Sequence, residues 1–319
     1  MPSLRKAIAL ALLCILAGAA ATLLLSTDSG YQSWAYHYFR EDYAKAGWVY
    51  DRMISARRPT DNLFVGSSHM LNAIDDGLIA KQFATPKAAY NAGIPTSARN
   101  LQYLVFRDVL SRNKPRRLFL ELRETEERTS HFGFAILARV GDAIGAPASP
   151  WWARDILWML QRRFEYLSQR FLPPQPSTVR ADSPEYGYLP NLHQVPPDQL
   201  AHDVAAAAGI KQWRVLPRAF GNLEFRANKL YVEQIAKLCR DDNIELHFLY
   251  LPFFGAPRQP IDVAYYERLG VLHLLPEEIA GKLEYWADVT HFNPKGAEAY
   301  TRWLIGTALT AGEGENTRR

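Results

Sequence analysis

The first strong pattern is an unbroken apolar run. Ala7 to Leu25 carries no charge. At about 1.5 Å per residue, that run nearly crosses a ~30 Å hydrocarbon core. Arg5 and Lys6 precede it, and Ser26-Thr27-Asp28-Ser29-Gly30 follows without a cation. The positive-inside rule puts residues 1–6 in the cytoplasm and the rest outside. Ala19-Ala20-Ala21 offers a signal-peptide cleavage site. Leu23-Leu24-Leu25 continues the run past it, which favours a retained anchor over 7–25. Residues 31–60 mix aromatics with charge (Tyr31, Trp34, Tyr36, Trp48, Tyr50) and read as a membrane-proximal helical segment packed on the domain.

From residue 61 the pattern changes to short apolar runs alternating with helical spacing. Asn62–Gly66 reads as a buried strand ending in a turn, followed by a helix through Asp76–Phe83. Lys87–Asn91 reads as the second strand. Ser97 is placed to cap a helix with Leu101, Leu104, Val105 and Val109 on one face. Arg117–Leu122 is a third strand, continuous enough to be buried on both sides. Strand, helix, strand, helix, strand argues an α/β, doubly wound, mostly parallel sheet.

Residues 125–220 interrupt that rhythm with helix-like pieces and clustered prolines (Pro173, Pro174, Pro176, Pro184, Pro190, Pro196, Pro197), a long insertion in one domain spanning 61–310. Trp151, Trp152, Trp158 and Tyr166 within it either line a groove or pack helices. The alternation then resumes. Leu230, Ile235, Leu238 and Cys239 mark a helix, and Ile244–Leu251 is a fourth strand. A strand near Tyr285 is expected to deliver Asp288-Val289-Thr290-His291 to the sheet's edge. Asn293 caps a last helix starting at Pro294 and running to about Leu309. Residues 311–319 read as a disordered tail.

Composition narrows the chemistry. The 319 residues are 48% apolar and 22% charged, with a formal net charge of +4. The cations are scattered, so nucleic acid is not expected as a partner. Two cysteines, one inside the apolar run, support neither disulfides nor zinc. No His, Asp or Glu spacing suggests a metal, no Gly-rich phosphate loop appears, and no cofactor is expected.

Leu63-Phe64-Val65-Gly66-Ser67-Ser68-His69 presents a hydroxyl at a strand's carboxyl end, where ligands bind in open α/β sheets. A serine nucleophile needs a base, and the base needs an orienter. Ser68, His291 and Asp288 supply that set. The N–H groups of Ser68 and Gly93 are candidate oxyanion donors. His69 adjoins Ser68 and is a poor base, but a candidate substrate contact.

Gly66-Ser67-Ser68-His69, Asn91-Ala92-Gly93 and Asp288-Val289-Thr290-His291-Phe292-Asn293-Pro294 resemble the first, second and last blocks of the SGNH (GDSL-like) hydrolase superfamily. The resemblance covers 60–125 and 240–309. It implies a flavodoxin-like SGNH fold, Ser68-His291-Asp288 as the triad, and Gly93 as an oxyanion donor. The anchored, exported arrangement looks like the alginate acetylation and D-alanine transfer branch. It implies a single-pass protein of the bacterial inner membrane with a periplasmic domain. The chemistry it implies is acyl transfer or ester hydrolysis on an envelope polysaccharide or acyl-sugar, with a membrane acyl-donor protein as partner. Two positions depart from the family. Ser67 stands where Asp usually precedes the nucleophile, and Leu120-Glu121-Leu122-Arg123-Glu124 replaces the Gly-x-Asn-Asp block. Arg123 is left as a substitute donor, as a ligand for an anionic sugar, or as a surface partner of Glu124 or Glu126; Asn191 is a more remote donor. A silent scaffold of the same fold, binding glycan or assembling an envelope complex, is the competing expectation.

Overall fold

The computed structural model describes residues 2–26, 29–38, 44–123, 130–144, 152–169, 185–209 and 226–310. The expected tail at 311–319, Trp151, Glu124, Glu126 and four of the clustered prolines (Pro173, Pro174, Pro176, Pro184) lie outside them.

Five strands form one all-parallel sheet: β1 (Asn62–Val65), β2 (Ala89–Asn91), β3 (Arg117–Leu122), β4 (Glu245–Tyr250) and β5 (Val271–Leu274). Their spatial order is β2-β1-β3-β4-β5, the flavodoxin-like order of doubly wound sheets. Strand side chains alternate between two cores. Leu63, Val65, Leu118, Leu120, Leu122, Leu246 and Phe248 face one. Phe64, Phe119 and Leu249 face the other. Burial on both sides is why these strands read as continuous apolar runs.

The first core is covered by α2 (Ser29–Tyr38), α3 (Ala44–Val49), α6 (Arg99–Leu110), α7 (Phe132–Leu137) and α11 (Arg226–Asp241). Tyr31, Tyr36 and Trp48 are buried there, with Trp34, Tyr38 and Tyr50 packed against them, so these aromatics serve the core. The second core is covered by α4 (Ser68–Ala73), α5 (Asp76–Gln82) and α14 (Pro294–Leu304). The long helix α1 (Pro2–Leu25) precedes them all and is long and apolar enough to cross a membrane. Short helices α12 (Val263–Glu267) and α13 (Glu277–Ala280) flank β5.

The described parts of the insertion hold α7, α8 (Val140–Ile144), α9 (Trp152–Gln169) and α10 (Pro197–Gly209). Tyr166 is buried against Tyr31 and Trp34, whereas Trp152 and Trp158 are exposed. Buried Asp76 accepts the N–H groups of Asn91, Gly187 and Tyr188, pinning the insertion's far end beside β2.

Three local expectations need correction. An extra helix, α4, follows β1 directly. Ser97 does not cap α6, because the N-cap position is Ala98 and the Ser97 hydroxyl donates to the Gly66 carbonyl at 2.7 Å. No strand forms near Tyr285. Leu283–Tyr285 is a 3-10 turn, and the Asn293 amide and N–H take the carbonyls of Glu284 and Tyr285. The fifth strand is instead the partly exposed edge run Val271–Leu274.

Candidate active site

The turn that presents Ser68 is built by close approach of backbone to a buried carboxylate. After β1 the chain turns at Gly66, where a Cβ would collide with Glu121 and Met70. Ser67 becomes the N-cap of α4, its hydroxyl accepting the His69 N–H. Ser68 is the first helical residue and is half-buried. Its N–H, like other first-turn donors, has no intrahelical partner, and no hydrogen bond to it occurs among the described residues.

His291 arrives from the other end of the chain on a tight loop. Trp286 and Phe292 pair across an antiparallel bridge with their rings 4.6 Å apart, and Ala287 N–H donates to the His291 carbonyl. Asn293 then caps α14 by accepting the Gly296 N–H at 3.0 Å. Inside the loop, the Asp288 carboxylate accepts the N–H groups of Thr290 and His291 at 2.7 and 2.8 Å. Such an Asx turn explains why Asp and His three residues apart can meet.

The three expected residues come together. His291 Nε2 lies 2.8 Å from Ser68 Oγ, and His291 Nδ1 lies 2.9 Å from Asp288 Oδ2. With Nδ1–H donating to the carboxylate, Nε2 is left to accept the Ser68 proton. Burial works against a charged Asp288. Hydrogen bonds from His291 and Thr290 outweigh it and hold the carboxyl well below the ordinary carboxylate range. The carboxylate therefore stays ionised as an orienter.

The expected anion-binding residues are placed differently. Gly93 does approach the Ser68 turn, and a Cβ there would sit 2.8 Å from Leu71 N and 2.9 Å from Ser67 O. Its N–H, however, already donates to Asn91 Oδ1 at 3.0 Å. Asn91 is held in turn by donating to the carbonyls of Met70 and Ile74. Arg123 is buried, with Nε 2.6 Å from Glu121 Oε1 and Nη1 2.7 Å from His69 Nε2. It donates there, so His69 Nε2 is an acceptor. Burial, then the nearby Arg123 and His291, push the His69 pKa well down, and the ring is neutral. Its ring and that of His291 meet in a T-shaped contact, centroids 4.9 Å apart. His69 thus packs against the His291 ring, and Arg123 holds His69. Asn191 is half-buried in an irregular segment and donates no bond toward the triad among the described residues; its side chain accepts the His193 N–H.

Glu121 is the residue a linear reading misses. It is fully buried on β3 and accepts the Ser67 N–H at 2.6 Å, the Ser67 hydroxyl at 2.8 Å and the Met70 N–H at 3.1 Å. The parity of β3 carries the signal. Leu118, Leu120 and Leu122 face the first core, so Glu121 must face the second, under α4. The Glu121–Arg123–His69 chain then links the Ser67–Met70 turn to the ring beside His291.

Two cavities flank the triad's sheet edge. One, walled by His69, Leu251, Trp286, Thr290 and Phe292, holds about 10 Å³, room for roughly one water. The other, about 260 Å³, is lined by Thr96, His131, Arg154 and Trp158. Among the described residues no group of His, Cys, Asp and Glu is arranged to hold a metal ion. The chain matches no protein-family model and no curated protein.

Proposed function

We propose that this chain is an exported, membrane-anchored serine acyltransferase or esterase of the SGNH type, acting on O-acyl, chiefly O-acetyl, groups of an envelope polysaccharide. The observation that carries the reading is the Ser68–His291–Asp288 relay, continuous at 2.8 and 2.9 Å. In the first half-reaction Ser68 Oγ attacks the ester carbonyl and its proton passes to His291 Nε2. The carbonyl oxygen takes up negative charge beside the Ser68 N–H. Collapse breaks the bond to the leaving alcohol, which takes the proton back from His291. A sugar hydroxyl or water, deprotonated by His291, then releases the acyl group from Ser68. The strand order supports the SGNH reading, because Ser68 and Gly93 follow β1 and β2 at the carboxyl edge of one sheet, where the loop before α14 brings His291 to Ser68.

The test is labelling of the full-length protein in detergent with a serine-reactive phosphonate. Labelling at Ser68, lost in Ser68→Ala and in His291→Ala with both variants folded, is the expected result. A folded wild-type protein that does not label would favour the second reading, a silent scaffold. That reading draws on the engaged Gly93 N–H, which leaves the Ser68 N–H as the one expected donor without a hydrogen bond among the described residues.

A further inference from the structure

Helix α1 is exposed all round over residues 6–18, and only Ala19, Thr22, Leu23 and Ser26 turn toward the domain. Leu23 packs with Ile156 and Met159. Arg163 Nη1 donates to the Ser26 carbonyl at 2.7 Å and hydroxyl at 2.9 Å. Helix α9 therefore abuts α1 just where the apolar span Lys6–Leu24 ends.

Helix α9 has one face turned inward, with Asp155, Met159, Arg163 and Tyr166 buried. A second apolar set, Leu157, Leu160 and Phe164, lies about a quarter-turn round from the α1 contact, at ~100° per residue. Leu157 is 66% exposed and Phe164 65%. Nothing among the described residues covers them. A lone exposed leucine is ordinary, but this set stands on the helix that meets α1 where its apolar span ends. The opposite side of α9 meets the domain: Trp34 donates to Gln169 at 2.6 Å, and Arg162 donates to Tyr38 Oη at 2.5 Å.

We propose that α9 lies in the interface of the bilayer that α1 crosses, with Leu157, Leu160 and Phe164 among the acyl chains and its buried face against the domain. The occupant of this surface is lipid. The inference rests on reading α1 as a membrane span and adds the orientation of the domain above it. A single helix lets a domain swivel, whereas a second, lateral contact fixes which side faces the membrane.

The experiment uses the full chain with Cys14→Ser, reconstituted in lipid nanodiscs, with a nitroxide at one introduced cysteine. Leu157→Cys and Phe164→Cys test the proposal, Leu16→Cys tests the span, and Lys295→Cys marks water. Collision with oxygen and with a nickel chelate gives the depth. The expected result is oxygen-accessible, nickel-shielded labels at 157 and 164, about 5–10 Å into the headgroup–acyl boundary, and a deeper label at 16. Nickel access at 157 and 164 equal to that at 295, with 16 shielded, overturns the proposal and leaves the span intact. Nickel access at 16 overturns both. Dipolar broadening between labels at 157 on two chains shows a second copy on this face, and also overturns the lipid assignment.

Discussion

On one side of Ser68 the hydroxyl meets His291 Nε2 at 2.8 Å, with Asp288 behind it. On the other side, where negative charge would develop, the Ser68 N–H stands ready but the Gly93 N–H is bonded to Asn91 and Arg123 is bonded to Glu121 and His69. The proton-relay half is assembled and the anion-binding half is only partly so. The difference lies in what each half can draw on. The relay is closed by side chains that satisfy one another, so it stands without substrate. An oxyanion donor must stay unsatisfied until charge arrives, which is costly for a buried N–H. Gly93 has found a partner in its own neighbourhood.

The sharpest way to break the relay half while sparing the rest is Asp288→Asn. An amide still accepts the Thr290 and His291 N–H groups, but it no longer favours Nδ1–H and the imidazolium. The rate of Ser68 phosphonylation is expected to fall on the order of 10⁴-fold. The same variant tests the charge of Asp288. Its folded pKa is depressed, so its contribution to stability is fully present above the unfolded value of about 4 and is lost as pH falls toward the folded value. Urea denaturation below about pH 4 should show wild type losing stability that Asp288→Asn never had.

Glu121→Gln asks whether both halves share one support. The glutamine keeps the shape, but Arg123 loses its buried counter-charge. Breaking such a pair costs about 3–5 kcal/mol, readable in the urea midpoint. Phosphonylation should also slow in the folded variant, because Ser67 and Met70, on either side of the nucleophile and its neighbour, both donate to this carboxylate. Unchanged labelling would separate the carboxylate from the nucleophile turn. On the anion side, Gly93→Ala places a methyl against Ser67 O and Leu71 N, and overpacking of this kind costs about 1–3 kcal/mol. If Gly93 serves only packing, the loss of labelling should follow the loss of fold. A folded Gly93→Ala that does not label would restore it to the oxyanion site.

The relay half was also the legible half. Gly66-Ser67-Ser68 follows an apolar strand, and Asp288 and His291 lie within one Asx turn, so each piece is written in adjacent residues. The sheet was legible for strands buried on both faces. Edge strand β5 was not, since Val271–Leu274 is half exposed and short, and the Tyr285 region spends its carbonyls on Asn293. Glu121 was hidden for a different reason. Its partners are Ser67, Met70 and Arg123, and the first two lie on a neighbouring strand's turn, reachable only once β3 is known to pair with β1. His69 invited a reading as a substrate contact because it adjoins Ser68, and Arg123 as an anion donor because it stands where the Gly-x-Asn-Asp block is replaced, yet both are buried and bonded to each other.

The mildest test concerns Thr290. Its hydroxyl donates to Asp288 Oδ1 at 2.7 Å, and its oxygen lies 2.7 Å from His291 Nδ1. It therefore shares the Nδ1 proton with the carboxylate, whose own oxygens are 2.9 and 3.0 Å away. Thr290→Val keeps the shape and the backbone N–H that fixes Asp288, and removes only the hydroxyl. One hydrogen bond of this kind is worth about 0.5–1.5 kcal/mol, so phosphonylation should slow about two- to tenfold with no change in fold. A loss as deep as that of Asp288→Asn would mean the imidazole is oriented by the hydroxyl as much as by the carboxylate. The relay would then be a four-residue device, no more self-sufficient than the anion-binding half it is set against.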